Sequence, residues 1–425
     1  MHFGFIPLPY RSHLSAFSAL EGELVERGHR VTYFHQPDIR SMIGPTSRLV
    51  SMGLRSHPPG TLAGVIARAA DPRSYAGLKK VISDMAAATD MLCKELPCAA
   101  RAAGVDALVV DQMEPAGGLV ADHLDLPFVS VGCALPINRH ANHPLPVMPF
   151  RYRANTLYAR IYEGSTRVYD MLMKRQALVI EHYASAFGLP ARSRMDECLS
   201  ARGQVLQTTA AFDLPRTPEP HLHHVGPLRR SPERCATHVW RTTPARRLVF
   251  ASLGTLQGHR FSLFRRIAQA CRLIDCDLLI AHCGGLNVEQ ARQLEGVGAT
   301  QVVSYTDQLA ALRQADAVVT HGGLNTVMDA ITTRTPMLVL PLAFDQPGVA
   351  ARVIHHQMGL KASARLATAE RIATSLTRLM GDDKMASALA TQHRALAAAG
   401  GVRRAADIII DVTRPCHGTG GLTWH

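Results

Sequence analysis

The sequence predicts an α/β protein of two parallel-sheet domains, and three observations support that reading. At 425 residues the chain is too long for one core of ordinary size. Short apolar runs alternate with stretches of helical period, the pattern of strands joined by crossover helices in a parallel sheet. Midway, Pro215, Pro218, Pro220, Pro227, Pro232 and Pro244 interrupt that alternation. The expected division is a first domain over 1–215, a proline-rich linker over 216–245, a second domain over 246–400, and a C-terminal segment over 401–425 ending in a loose tail.

The first domain opens with an apolar strand, Phe3 to Pro7, then a helix from Ser15 to Arg27. The turn Gly28-His29-Arg30 leads into a strand over Val31 to Phe34. Further strands are expected at Ala107 to Val110 and Phe128 to Val131, each followed by loop residues. Ligands in open parallel sheets bind outside the carboxyl ends of strands, so His13 and Asp111, each just past such an end, can meet there. Taken singly, His13 also reads as a helix-start residue and Asp111 as an N-cap.

In the second domain a strand over Arg247 to Ala251 runs into Ser252-Leu253-Gly254-Thr255. The most informative stretch is Gln301 to Gln346. Its strand Ala317 to Val319 leads directly into Thr320-His321-Gly322-Gly323-Leu324-Asn325-Thr326, after which a helical pattern begins. A strand that stops at glycines and restarts as a helix leaves backbone N–H groups and a positive dipole end facing outward, which suits a diphosphate. His321 adds a side-chain donor. A second strand, Met337 to Leu342, ends at Phe344-Asp345-Gln346, a pair of polar side chains with the acceptor and donor atoms that sugar hydroxyls need.

Composition narrows the partners. Lysine and arginine total 46 against 34 acidic residues, a net charge of +12 that attracts anions. Nucleic acid is not expected, because aromatic residues are only 5% of the chain and do not interleave with basic ones. The arginines between Arg151 and Arg175 and between Arg229 and Arg247 read as solvated faces, with docking to a membrane surface as the alternative. No apolar run approaches the ~20 residues of a spanning helix and no leader pattern is visible, so a cytoplasmic protein is expected, with peripheral contact to the inner face of the membrane left open. Nine cysteines without a C-x-x-C pair suggest reduced thiols rather than a zinc site. His355 and His356 read as helix surface, not metal ligands.

The order and spacing of the 301–346 stretch resemble the donor-binding signature of the UDP-glycosyltransferase family. The resemblance implies that Tyr305 stacks on uracil, Gln308 bonds the nucleoside, and His321 and Thr326 bind phosphate within the His-Gly-Gly-x-Asn run that includes Gly322, Gly323 and Asn325. It implies that Asp329 holds the ribose hydroxyls and that Asp345 and Gln346 hold the transferred sugar. Ser252, Gly254 and Thr255 match the family turn beneath the phosphates, and His13 and Asp111 match its catalytic histidine and aspartate, although Ser12 replaces the usual glycine. Tyr305 and Leu324 stand where plant members have tryptophan, which counts against the plant subgroup rather than the family. The fold implied is GT-B, two Rossmann-like domains facing across a cleft.

Residues 111–117, 133–136, 251–258 and 342–348 further resemble the bacterial branch that glucosylates carotenoids. That resemblance implies an inverting transfer of glucose from UDP-glucose, a co-substrate, to the terminal hydroxyls of zeaxanthin, giving the mono- and then the diglucoside, with no other cofactor and no metal. The alternatives are transfer to another lipophilic alcohol, a nucleotide-sugar epimerase of the same fold, and a binding protein without catalysis. An epimerase has no use for an acceptor base such as His13.

Overall fold

Residues 1–72, 74–229, 239–243 and 245–414 are described by a computed structural model. Its strands form two separate parallel sheets. The first holds β1 (His2–Ile6), β2 (Arg30–His35), β3 (Arg48–Ser51), β4 (Ala107–Asp111), β5 (Phe128–Gly132), β6 (Gln204–Leu206) and β7 (Leu222–His224), in the order β3-β2-β1-β4-β5-β6-β7. The second holds β8 (Leu248–Ser252), β9 (Asp277–Ala281), β10 (Gln301–Val303), β11 (Ala317–Thr320), β12 (Met337–Val339) and β13 (Gly359–Lys361), in the order β10-β9-β8-β11-β12-β13.

The central strands β1, β4, β5, β8, β9 and β11 are buried along their whole length and mostly apolar, because helices cover both faces of each sheet. Alternate residues then divide between two cores, as the period of two requires. In β4, Ala107 and Val109 join one cluster while Leu108 and Val110 join the other. In β8, Val249 and Ala251 face one side and Leu248 and Phe250 the opposite side. Each fully buried valine, leucine or phenylalanine here contributes roughly 1.5–3 kcal/mol.

In both sheets the strand order reverses beside the first strand, between β1 and β4 and between β8 and β11. Such a reversal sends consecutive crossover connections to opposite sides and leaves a crevice at the carboxyl ends of the two strands. The candidate residues follow these four strands: His13 after β1, Asp111 at the end of β4, Ser252 to Thr255 after β8, and His321 after β11.

Two expectations need correction. The stretch from 216 does not begin as linker, because β7 pairs with β6 through Gln204 opposite Leu222 and extends the first sheet. A three-residue edge strand hedged by prolines shows no periodicity in sequence. The segment from 401 is no appendage: helix Gly401–Thr413 returns to the first sheet, where Val402, Ala405 and Ile409 pack in one cluster with Phe3 and Val109. Pro232, Pro244 and the expected tail at 417–421 lie outside the described residues.

The chain therefore passes between the two halves twice, and the passages run side by side, the Gly401 N–H donating to the Val225 carbonyl at 2.7 Å. Elsewhere the halves meet through a buried ion pair, Arg352 Nη2 to Asp213 Oδ1 at 2.6 Å. Burial alone would raise the Asp213 carboxyl, but the Arg352 and Arg216 guanidiniums hold it below the ordinary range. Removing Asp213 would strand the buried Arg352 guanidinium at a cost of roughly 3–5 kcal/mol. Among the described residues, no helix is long and apolar enough to cross a membrane.

Candidate active site

The helix after β1 starts at Arg11, earlier than expected, so His13 lies in its first turn rather than in a preceding loop. Its Nδ1 is 2.6 Å from Asp111 Oδ2. Asp111 is itself the last residue of β4, 1% exposed, and its Oδ1 accepts the Met113 N–H at 3.0 Å. An anionic partner at Nδ1 assigns the proton to that nitrogen and leaves Nε2 as the acceptor. Burial would push the His13 imidazole down, but the charge and hydrogen bond of Asp111, with the charge of Asp345 behind them, raise it above 6.5.

Cys133 completes this corner, its sulfur and the His13 and Asp111 ligand atoms all lying within 4.8 Å of one another. Burial and the Asp111 charge push its thiol far up, so it stays protonated beside the carboxylate. Asp111 is fixed by an imidazole and an amide, with the thiol close by.

The donor side is organised around His321. Cβ atoms built on Gly254 and Gly323 would lie 2.7 and 2.6 Å from its Cε1, so both neighbours must be glycine for the ring to sit between them. Burial pushes this imidazole down to about 4 even with a hydrogen bond to the Ser252 backbone. At neutral pH it is an uncharged hydrogen-bonding ring. Immediately after it, helix Leu324–Thr333 begins with no side-chain cap and no acidic residue in its first turn. Its leading N–H groups and positive dipole end are therefore available to an anion.

Both sides open on one cavity of about 830 Å³. The first domain lines it with His13 and the loop around Leu135; the second lines it with Ser252, Gly254, Thr255, Gln308, His321, Gly323, Asn325, Thr326, Asp345 and Gln346. Asp345 Oδ2 accepts the Leu135 N–H at 3.1 Å, so the candidate sugar residue also touches the opposite domain. Gln346 Oε1 accepts the Leu342 and Ala343 N–H groups at 2.8 Å each, which leaves its amide nitrogen as the free donor.

Four candidates do not line the cavity. Asp111 lies beneath His13. Gly322 takes a left-handed conformation, φ +87°, behind His321. Tyr305 stands 60% exposed, its hydroxyl donating to the Cys283 carbonyl at 3.1 Å. Asp329 is buried, its carboxylate engaged by Gln308 Nε2 at 2.5 Å and by Arg229. Burial pushes the Arg229 guanidinium down to about 10.

Sequence reading missed Arg229, and it missed Glu114, Thr89 and Gln176, which line the first-domain part of the cavity. It also placed His356 on the surface, whereas its Nε2 lies 3.1 Å from the Phe212 carbonyl of the other half.

The family model for UDP-glucoronosyl and UDP-glucosyl transferases matches residues 65–395, spanning both halves of this cavity. The chain belongs to that family. It is 46% identical to a zeaxanthin glucosyltransferase of Pantoea ananas, over 97% of this chain and 96% of that protein. To a second zeaxanthin glucosyltransferase, from Pseudescherichia vulneris, it is 43% identical over 96% of this chain and 97% of that one. The crystal structure of the kitacinnamycin glycotransferase superposes with a TM-score of 0.75 at 21% identity, covering 97% of this chain and 99% of the other. The fold of this UDP-glycosyltransferase is accordingly GT-B, with the candidate base and the candidate diphosphate cradle on facing domains.

Proposed function

We propose that this enzyme transfers glucose from UDP-glucose to the terminal ring hydroxyls of zeaxanthin, first at one end and then at the other. His13 Nε2 removes the proton of the acceptor hydroxyl as its oxygen bonds the anomeric carbon. Asp111 keeps the imidazole oriented and offsets the charge it gains. The bond from the anomeric carbon to UDP breaks on the opposite face, so the configuration inverts. The charge that develops on the diphosphate is met by the N-terminus of helix Leu324–Thr333, His321, Thr326 and Thr255. Asp345 and Gln346 hold the glucose, and no metal takes part.

The observation that supports this reading best is the 2.6 Å His13–Asp111 pair facing the His321 cradle across one cavity. The names of the two relatives point to zeaxanthin as acceptor. Product analysis with UDP-glucose and a panel of hydroxylated carotenoids tests it: UDP release with formation of zeaxanthin mono- and diglucoside is expected. Turnover of the sugar nucleotide without any acceptor would point instead to an epimerase, and release with other alcohols but not with zeaxanthin would remove the carotenoid.

A cytoplasmic enzyme with so apolar an acceptor needs access to membranes, and helix Thr156–Leu172 supports docking to an anionic bilayer. Leu157, Ile161, Val168 and Met171 are 65%, 37%, 49% and 69% exposed along one face of it, flanked by Arg160 and Arg167. Met171 also lines the cavity, so the apolar stripe leads into it. Each basic residue near an anionic surface contributes about 1 kcal/mol. Co-sedimentation with anionic vesicles at low salt, lost in Leu157→Asp/Met171→Asp, is expected. Wild-type protein that stays in the supernatant would end this idea and leave the chemistry standing.

A further inference from the structure

The first-domain wall of the cavity joins apolar residues, Met85, Met113, Ile137 and Ile180 among them, to charged ones such as Asp84, Arg139 and Lys174, and it also holds three buried polar side chains. Thr89 from helix Tyr75–Ala103, Glu114 after β4, and Gln176 from helix Lys174–Ala186 are 1%, 4% and 1% exposed. Gln176 Nε2 donates to Thr89 Oγ1 at 2.9 Å, and Thr89 Oγ1 donates to Glu114 Oε1 at 2.9 Å. Glu114 Oε1 also accepts the Ala116 N–H at 3.1 Å.

The chain of bonds is incomplete at both ends. Gln176 Oε1 is buried without a partner, and no bond to Glu114 Oε2 occurs among the described residues. A buried amide oxygen left unpaired is destabilising, because it has lost its water without gaining a partner. Burial pushes the Glu114 carboxyl up to about 7 despite the Ala116 and Thr89 bonds, and Asp111 adds to the rise. Neither open position is explained by the His13–Asp111 pair or by the donor cradle. Gln176 Oε1 is an acceptor, and Glu114 Oε2 accepts as a carboxylate or donates as a carboxylic acid, so a hydroxyl, which does both, suits the pair.

We propose that Thr89, Glu114 and Gln176 form a second hydroxyl-binding subsite, taking a hydroxyl of the acceptor other than the one that reacts. Its position sets where that hydroxyl lies. The Glu114 N–H donates to the Asp111 carbonyl at 3.0 Å, so the subsite is within one backbone turn of the residue that orients His13. Both hydroxyls therefore belong to one end group; zeaxanthin, with one hydroxyl on each ring, leaves this subsite open, and an acceptor whose end group carries a second hydroxyl is favoured over it. This rests on the reading that the cavity holds a lipophilic alcohol.

The test is binding rather than turnover, which keeps it separate from the fate of zeaxanthin. Dissociation constants are measured on UDP-loaded protein for a hydroxy-ionone and its vicinal diol. Wild type should bind the diol about tenfold more tightly, the scale of one added hydrogen bond in a buried site. Gln176→Leu should bring the two constants within about twofold while leaving the monohydroxy value unchanged. Thr89→Val serves the same comparison should Gln176→Leu fail to fold. Equal binding of the two alcohols by wild type, as expected if the cluster encloses a buried water only, overturns the subsite, as does a preference that survives Gln176→Leu. Absence of any carotenoid glucoside would remove the assigned acceptor without touching this result.

Discussion

The two walls of the cavity are made of different material. The donor wall is largely backbone: a strand end, glycines that clear space for one imidazole, and the uncapped start of a helix, most of it contiguous in sequence. The acceptor wall is side chains from separate elements, His13 resting on an Asp111 that lies 98 residues away. Backbone donors of this kind hold a ligand by fixed geometry that few substitutions can remove, whereas side-chain groups can be changed one at a time. Substitutions on the donor wall should therefore act on nucleotide affinity, and substitutions on the acceptor wall on chemistry and acceptor choice.

The sharpest way to break that contrast is His13→Ala. Glucosyl transfer should fall by ~10²- to 10⁴-fold, while the dissociation constant for UDP-glucose stays near that of wild type. Asp111→Asn should lose a similar or smaller factor, and the double variant should be little worse than His13→Ala, because residues acting as a unit are not additive. Losses that multiply in the double variant would show that the base lies elsewhere.

On the opposite wall, His321→Ala should weaken UDP binding and lower turnover by ~10²-fold, the scale of one preorganised donor. Unchanged affinity with unchanged rate would remove it from the phosphate site. A smaller effect concerns the sugar itself. With Oε1 engaged by backbone, Gln346 offers its amide nitrogen, and kcat/KM should favour UDP-glucose over UDP-galactose by roughly tenfold or more. Gln346→Ala should narrow that ratio; equal values for the two donors in wild type would contradict the assignment.

The smallest expected effect is on pH. The base works when neutral, and its folded pKa lies above 6.5, so activity should fall as pH drops through a value above 6.5. Asp111→Asn removes the charge that raises it and should move the acidic limb to lower pH. A limb that does not move would mean that another group is titrating.

Legibility in the sequence followed the same division. His321, Gly323, Asn325 and Thr326 could be read directly, because a strand, glycines and a helix start in close succession are a local pattern. His13 and Asp111 needed the family resemblance, since only the parallel pairing of β1 with β4 brings them together. Thr89 and Gln176 gave no signal, because both sit in helices, where a polar residue reads as surface until packing turns it inward, and Glu114 stood only within the resembling stretch 111–117, with no role of its own. The role of Tyr305 came only from the resemblance; its ring is 60% exposed and its hydroxyl donates to the Cys283 carbonyl. Strands of three residues, such as β7 and β13, are too short to show a period at all.

The doubled passage between the halves has a mechanical meaning. Two tethers joined at Val225 and Gly401 form a narrow spine, and Gly226, Gly400 and Gly401 all hold positive φ there, at +76°, +90° and +57°. Because the two passages are bonded to each other and left-handed backbone favours glycine, a side chain placed at any of the three would strain both passages at once. The contact of Leu135 with Asp345 across the cleft depends on this joint together with the Arg352–Asp213 pair.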